Sequence, residues 1–201
     1  MIEYYHPFFG PFLMQTKITS EELAAVKKLC VKSKKRDFRK KLAGVIDDEY
    51  SIDIKKFEKI IKEYLDCYRH GYEKFHNNTL GPLECKSAWV NYMVAGESNP
   101  PHTHSSCHFS SVLYLDNPPD LIKENKDYLG SSSGPGAIIF RYGEQRLHNI
   151  TEHAHLPKPG DLFIFPFNLL HYVIPFKSRG ERISVAANFT TDLSLSKGVI
   201  E

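Results

Sequence analysis

The sequence predicts an α+β protein that is mainly β, with N-terminal helices packed on an antiparallel sandwich or barrel. The 201 residues fall into two regions with different predicted secondary structure. Residues 1 to about 84 predict a short strand followed by helices, whereas residues from about 85 to 190 predict a succession of strands. The strands are short and are separated by turns rich in Pro and Gly, a pattern typical of sandwiches and barrels. We therefore expect one domain over residues 1–201, with a helical portion (about 1–84) and a β core (about 85–190).

Two helices are predicted before residue 84. Thr19 or Ser20 can cap the first helix, because Glu22 stands three residues after Thr19 in capping-box spacing. The second helix is predicted over residues 53–75, where apolar side chains recur at intervals of three and four residues and form a core-facing stripe. The stripe consists of Ile54, Phe57, Ile60, Ile61, Tyr64, Leu65 and Tyr68.

Six strands are predicted in the β core from segments rich in β-forming residues. They span residues 85–94, 109–115, 137–142, 161–166, 171–175 and 182–189. Turn signals such as Asn-Pro-Pro, Gly-Pro-Gly and Ser-Arg-Gly separate them. The Ser-Ser-Ser-Gly-Pro-Gly segment at residues 131–136 predicts a flexible surface loop, and a loop that borders a functional site is the less favoured alternative.

The bulk composition argues against nucleic-acid and membrane partners. The net charge is only +2, and no apolar run approaches the roughly 20 residues that a bilayer requires. The basic cluster at residues 27–41 predicts a solvated helix face, with a patch for an acidic partner as the minority alternative. Four cysteines without a CxxC pair fit a reducing cytoplasm. The first residues, which carry Glu3 and His6, do not predict a leader.

Three of the ten histidines have a spacing that suits a metal ion. His102 and His104 are two apart in an extended segment, so that both side chains can point to one face, and His171 would come from a neighbouring strand. Imidazole suits iron, and three ligands on one face leave positions open for substrate and oxygen. Spacing alone favours this site and a set of polar loop histidines equally. We expect six others to be exposed or locally bonded: His6, His70, His76, His148, His153 and His155.

Arg182 indicates an anion site beside these histidines. It stands eleven residues after His171, inside an otherwise apolar strand. A buried guanidinium is costly unless it meets an anion, and its planar fork fits a carboxylate. Ser184 lies on the same face and can donate a further hydrogen bond. A metal site and a carboxylate site one strand apart fit a metal-bound 2-oxo acid, whereas an exposed Arg182 on an edge strand is the less favoured alternative.

Together, these segments resemble the 2-oxoglutarate/Fe(II)-dependent oxygenases in their prolyl-hydroxylase-like branch, and most of all small members from marine phages and bacteria. The resemblance covers residues 85–190 well and the N-terminal half more loosely, through Leu42–Ile46 and Glu49. It implies a double-stranded β-helix of the jelly-roll or cupin-like kind. The segments that carry it are Trp89–Gly96, Pro101–His104, Phe109–Leu115, Pro159–Pro166 and His171–Phe189.

The resemblance also implies a chemistry and a ligand set. Fe(II) would be the metal, 2-oxoglutarate the cosubstrate and O2 the oxidant, with succinate and carbon dioxide released as a protein or small-molecule substrate is hydroxylated. His102 would be the first metal ligand and His171 the last. Arg182, with Ser184, would hold the C5 carboxylate of 2-oxoglutarate. Tyr114 and Asn91 are implied as further contacts to it.

One position departs from the family's pattern. Most members carry His-x-Asp at the first site, whereas here the second position is His104. The favoured interpretation is that His104 replaces the carboxylate, which gives three neutral ligands. The alternatives are a carboxylate from Glu97 or Asp116, or an altered and slow site. His108 is expected to support the ligands or to be structural.

Other functions stay open at this point. A three-histidine cupin-type dioxygenase or isomerase would not use 2-oxoglutarate, and a non-catalytic β-barrel binding protein would have a decayed metal site. A zinc hydrolase is less favoured, because no carboxylate stands in general-base spacing beside the histidines. We expect a cytoplasmic enzyme, phage-encoded if the resemblance extends that far, and a homodimer is one assembly that the sequence leaves open.

Overall fold

The computed structural model describes residues 10–192, which contain ten strands, three helices and two short 3-10 turns. The 3-10 turns are Lys34–Arg36 and Arg39–Lys41. The helices are α1 (Ser20–Lys27), α2 (Ile54–His76) and α3 (Pro119–Lys126). The strands are β1 (Met14–Lys17), β2 (Glu49–Ser51), β3 (Glu84–Met93), β4 (Asn99–His102), β5 (Phe109–Asp116), β6 (Ile138–Arg141), β7 (Glu152–His155), β8 (Asp161–Pro166), β9 (Leu170–Val173) and β10 (Arg182–Thr190).

The strands form two antiparallel sheets. The larger has the order β1-β8-β5-β10-β3-β2 and the smaller the order β4-β9-β6-β7. Side chains of both sheets meet in one buried cluster, in which Tyr114 and Phe163 of the larger sheet pack with Ile138 and Phe140 of the smaller. The sheets therefore face each other as the two layers of a sandwich, as the turn pattern predicts.

Helix α2 covers the outer face of the larger sheet. Its buried stripe consists of Phe57, Ile61, Leu65 and Tyr68, which lie in the main core with side chains of β3, β5 and β10. The Asp53 side chain caps the helix by accepting a hydrogen bond from the Lys56 N–H (3.1 Å). The predicted stripe is confirmed, because all seven of its side chains lie in or against the main core. The predicted span, 53–75, differs from the observed helix by one residue at each end.

Strand alternation separates the helix-covered face of the larger sheet from its inner face. In β10, Val185 and Ala187 join the core under α2, whereas Ser184 and Ala186 point to the opposite side and line a pocket between the sheets. Successive side chains of a strand point to opposite faces, so Arg182 shares the inner face with Ser184. The apolar core and the polar pocket thus lie on opposite sides of the same strands.

Helix α1 begins as the capping-box spacing predicts. The Thr19 hydroxyl accepts a hydrogen bond from the Glu22 N–H (3.2 Å), and the Glu22 carboxylate accepts one from the Thr19 N–H (2.9 Å). The Tyr64 hydroxyl also donates to Glu22 (2.6 Å), which joins α2 to the start of α1.

Three predictions about local structure need correction. The N-terminal portion expected to be helical also supplies β2 to the larger sheet. The basic segment at residues 27–41 is not one solvated helix, because α1 ends at Lys27 and the two 3-10 turns follow. Strands β4 and β7 and helix α3 were not among the predicted elements. In β4 the cause is Pro100 and Pro101, which lack the N–H that a regular strand donates.

Two further features bear on the sequence predictions. The four cysteines, Cys30, Cys67, Cys85 and Cys107, are free thiols. Within residues 10–192, no helix combines the length and the apolar character needed to cross a membrane.

Candidate metal centre

Three histidine side chains converge at one end of the pocket between the sheets. One ring nitrogen from each of His102, His104 and His171 lies within 4.8 Å of the other two. Among them, His104 Nε2 and His171 Nε2 are 3.2 Å apart. Because His102 is paired directly with His171 across β4 and β9, the strand register fixes two of the three. The third is held by the hydrogen bond from the His104 N–H to the Phe167 carbonyl (2.9 Å).

Backbone carbonyls orient two of the rings. His102 Nδ1 lies 2.7 Å from the Pro100 carbonyl and His171 Nδ1 lies 2.8 Å from the Leu169 carbonyl. A carbonyl only accepts, so each Nδ1 carries the proton and each Nε2 keeps a free lone pair. This is the outer support that ligating histidines ordinarily have.

The three imidazoles are neutral at physiological pH. Burial lowers the pKa of all three. Burial and repulsion from His102 together bring the pKa to about 4 for His104 and about 3 for His171. Because only neutral imidazole has a lone pair for a metal, the cluster is held in its ligating form.

No carboxylate within the described part of the chain belongs to this cluster. Both oxygens of Glu97 accept backbone hydrogen bonds, from the N–H groups of Asp47 and Val94 (2.8 Å each), and Asp116 is exposed at the end of β5. His108 has a structural role, since its Nδ1 accepts a hydrogen bond from the Thr191 N–H (3.1 Å). The donor set in the pocket is therefore three imidazoles.

The same pocket contains the predicted anion site. It runs from the histidines to Arg182 and is partly open to solvent. All four predicted contacts to the cosubstrate line it together with the three histidines: Asn91, Tyr114, Arg182 and Ser184.

Arg182 is buried but only partly hydrogen-bonded. Its Nε donates to the Gly136 carbonyl (3.1 Å), its guanidinium lies 4.7 Å from the centre of the Tyr114 ring, and its Nη2 has no partner. The Tyr114 hydroxyl and Asn91 Oδ1 are buried without partners as well. An unpaired buried polar group costs roughly 1–3 kcal/mol. Several such groups around one pocket, with a guanidinium among them, fit an acidic ligand.

Two observations refine the sequence predictions around Arg182. Ser184 Oγ accepts a hydrogen bond from Asn91 Nδ2 (3.4 Å), so these two predicted contacts are neighbours. The loop at residues 131–136 ends at Gly136, whose carbonyl holds Arg182. The structure therefore supports the alternative in which this loop borders the site, rather than the favoured prediction of a plain surface loop.

A second cavity, which we call the outer groove, adjoins the histidines on the other side. His102, His104 and Trp89 line both cavities, and the groove is also lined by Phe38, Gly44 and Glu49. Sequence reasoning named Glu49 only as part of the looser N-terminal resemblance. Nothing in the sequence indicated that Glu49 is buried, whereas its side chain is only 2% exposed in the structure.

The remaining histidines of residues 10–192 lie outside the site. His155 pairs with Asp161 (2.8 Å), His76 packs on Tyr72, and the other three are exposed: His70, His148 and His153. The prediction that they are exposed or locally bonded is confirmed for these five. His6 lies outside the described residues.

Comparisons with known proteins agree with this architecture. A family model described as "Putative 2OG-Fe(II) oxygenase" matches residues 87–188, just over half of the chain. A prolyl-4-hydroxylase from Pseudomonas putida superimposes with a TM-score of 0.59 at 17% identity, covering 89% of this chain and 91% of that chain. No curated protein matches the sequence.

Two more distant structures have the same fold. A prolyl hydroxylase from Trichoplax adhaerens, in complex with a hypoxia inducible factor peptide fragment, has a TM-score of 0.56 at 11% identity and covers 90% of this chain and 83% of that chain. HygX from Streptomyces hygroscopicus, with nickel and 2-oxoglutarate bound, has a TM-score of 0.52 at 11% identity with the same coverage, 90% and 83%. These likenesses confirm the predicted double-stranded β-helix.

Proposed function

Because the chain belongs to the 2OG-Fe(II) oxygenase family, and is thereby an oxidoreductase, we propose that His102, His104 and His171 bind its iron. We propose further that Arg182, with Ser184, binds the distal carboxylate of 2-oxoglutarate. One observation supports both assignments: three neutral imidazoles within 4.8 Å share a pocket with a buried guanidinium whose Nη2 has no partner.

Each chain residue has a defined task in this proposal. Arg182 offers its free Nη2 to a carboxylate while the Gly136 carbonyl fixes its Nε, so that the guanidinium is oriented before the ligand arrives. The Ser184 hydroxyl accepts from Asn91 and keeps its own proton to donate. Tyr114 supplies a further donor, because its buried hydroxyl has no partner.

The site also has to exclude water and to leave the metal accessible. Burial of the three histidines keeps them neutral, and their Nδ1–H···carbonyl contacts leave Nε2 of His102 and His171 for the metal. When bound, Fe(II) and 2-oxoglutarate supply the oxidative chemistry that hydroxylates a substrate with release of succinate and carbon dioxide. With His104 in place of a carboxylate, the net charge of the iron and its protein ligands would be more positive by one unit than with His-x-Asp.

Similar structures indicate the range of substrates and metals to test. HygX was solved with nickel and 2-oxoglutarate, and also with hygromycin B, whereas the Trichoplax enzyme was solved with a peptide fragment. We therefore propose a peptide or a small molecule as the primary substrate. We also propose that residues 1–201 form one catalytic domain, and that the free thiols fit a cytoplasmic setting.

An anaerobic titration tests the metal and cosubstrate assignments together. Fe(II) and then 2-oxoglutarate are added to the metal-free chain, and the weak visible charge-transfer band of the chelate is recorded. Arg182→Lys keeps the positive charge but loses the planar guanidinium that can bind a carboxylate through two hydrogen bonds. We therefore expect the variant to require at least about tenfold more 2-oxoglutarate for half of the full band intensity. The control is Arg141→Ala, which removes a half-exposed arginine of β6 that lies 3.9 Å from Glu152.

The outcomes separate the proposal from its rivals. A band in the wild type and the control, weakened in Arg182→Lys, is the expected result. Bound iron without a band would move the chain to dioxygenases that do not use 2-oxoglutarate. If iron does not bind, the chain is a binding protein with a decayed site. An unchanged 2-oxoglutarate requirement in Arg182→Lys would refute the role of Arg182 while leaving the metal site intact.

A further inference from the structure

The outer groove contains a buried carboxylate that the proposed chemistry does not use. Glu49 lies in β2, is 2% exposed, and has an Oε2 atom without a hydrogen-bond partner. A buried carboxylate is costly unless it is paired or protonated. The groove therefore contains a buried carboxyl oxygen without a hydrogen-bond partner.

Strand register places Glu49 on the same face as the cosubstrate pocket. Glu49 is opposite Asn91 in β3, Asn91 is opposite Ser184 in β10, and Ser184 is opposite Tyr114 in β5. Directly opposed side chains share a face, and neighbouring strands are about 4.8 Å apart. Glu49 therefore extends the polar row of the pocket by one strand, into the groove that His102 and His104 also line.

The neighbouring cations do not neutralise this carboxylate. Arg39 pairs with Asp37 (2.7 Å), Lys32 pairs with Asp48 (2.8 Å), and the Lys41 ammonium lies over the Phe38 ring (5.3 Å). Within residues 10–192, no lysine or arginine forms an ion pair with Glu49. Without an ion pair in the described residues, Glu49 is stable in its protonated form and lacks a counter-charge once it ionises.

We propose that Glu49 binds a protonated amino or guanidino group of the primary substrate and so orients that substrate at the histidine cluster. This inference rests on the proposed function, since it deepens the specificity of the same site. Trp89, which is stacked with Phe38 at 5.7 Å between ring centres, supplies an aromatic wall for such a group. Lys41 also lines the groove with its ammonium over the Phe38 ring, so a bound cation would meet Glu49 and Trp89 rather than Phe38. Aromatic rings attract alkylammonium and guanidinium ions.

Gly44 supports the same interpretation from the backbone side. A Cβ at residue 44 would lie 2.8 Å from Glu49 Oε1 and 3.4 Å from the Ile46 side chain. The absence of a side chain at Gly44 therefore leaves room for the carboxylate in its present position. Gly44→Ala would displace the carboxylate without removing its charge, which makes it a second and independent test.

The protonation state of Glu49 gives the interaction a pH dependence. Burial, assisted by Glu97 and Asp37 and opposed by Arg39, raises the pKa of Glu49 to about 7. A cation binds the ionised carboxylate, so a proton must leave before it binds. Alkylammonium ions stay protonated up to about pH 10, so we expect their affinity to rise about tenfold between pH 6 and pH 8.

Trp89 provides a direct readout, because it is the one tryptophan of the chain and lines the groove. Its fluorescence would be titrated in the metal-free, full-length protein with n-butylammonium and n-propylguanidinium at constant ionic strength. The matched neutral and anionic probes are 1-butanol and butyrate. The variants are Glu49→Gln and Gly44→Ala, and the control is Glu84→Gln, which removes an exposed carboxylate of β3.

We expect a saturable change with at least one cationic probe in the wild type and in Glu84→Gln, and at least tenfold weaker binding in Glu49→Gln and Gly44→Ala. Equal binding of 1-butanol, equal binding to Glu49→Gln, or no response to either cation would each overturn the inference. Because neither iron nor 2-oxoglutarate is present, these results are independent of the charge-transfer titration, and failure here leaves the proposed function standing.

Discussion

Burial of Glu49 makes the stability of the folded chain depend on pH in a direction opposite to that of an ordinary paired carboxylate. Its pKa is about 7 in the folded chain, against an ordinary value of 4.5. This difference corresponds to roughly 3 kcal/mol, at about 1.4 kcal/mol for each pKa unit. Between these values the unfolded chain releases the proton and the folded chain retains it. The contribution of Glu49 is therefore fully present below about pH 4.5 and is lost as the pH rises through about 7.

Glu49→Gln removes this titration while keeping the shape of the side chain. We expect the free energy of unfolding of the variant, minus that of the wild type, to increase by about 3 kcal/mol between pH 4.5 and pH 8. Urea unfolding at matched pH values measures this difference, and subtraction cancels the titration of the histidines. Glu84→Gln controls for the loss of an exposed carboxylate. A difference that stays constant, or that decreases with pH, would refute the reasoning.

Two further predictions concern the metal ligands and the support of Arg182. His104→Asp should retain Fe(II), because it restores the family's His-x-Asp. His104→Ala should lower Fe(II) affinity at least about tenfold, as measured by equilibrium dialysis. Unchanged affinity in His104→Ala would exclude His104 as a ligand. Gly136→Ala should cost about 1–3 kcal/mol on denaturation and weaken 2-oxoglutarate binding, because Gly136 has φ +76° and a Cβ there would lie 2.7 Å from Leu121. Gly143→Ala is the control for backbone strain alone, because Gly143 has φ +80° and a Cβ there would meet no atom within 4 Å. An equal loss of 2-oxoglutarate affinity in both variants would contradict a role for the Gly136 carbonyl.

Periodicity predicted the parts of the fold in which a regular element buries one face. Helix α2 has an apolar stripe that appears in the sequence before any tertiary contact is known, and β10 combines apolar residues with Arg182 at a conspicuous position. These signals are local, because the spacing of side chains along one element determines which of them are buried together.

The missed elements have no such local signal. Strand β4 contains Pro100 and Pro101 and pairs regularly only at its ends, at Asn99 and His102. Strand β2 has three residues and lies at the edge of the larger sheet, where it is defined by pairing with β3 and by an isolated bridge from Tyr50 to Asp37. In both cases the partner strand, distant in sequence, determines the conformation, so the local residues could not predict it.

The same limit applies to Glu49 within the candidate site. It follows Asp47 and Asp48, and nothing in that acidic run distinguishes the buried carboxylate from the exposed Asp47 or from Asp48, which pairs with Lys32. The three histidines and Arg182 could be singled out because an HxH pair in an extended segment and an arginine inside an apolar strand are visible in the local sequence, and the family resemblance joined them. A single buried carboxylate such as Glu49 has no comparable local signal, because its burial depends on which strand it faces.

The two ends of the polar row carry opposite charges, and this arrangement can discriminate between ligands. Arg182 and Tyr114 form the end that suits an acid, whereas Glu49, two strands from Ser184, forms the end that suits a base. A dicarboxylate in the outer groove would meet the carboxylate of Glu49, and a cationic substrate in the inner pocket would meet the guanidinium of Arg182. Each ligand is thus favoured at one end and repelled at the other, and repulsion of the wrong ligand contributes to specificity as much as attraction of the right one. The histidines lie between these ends, where both ligands would have to meet for reaction.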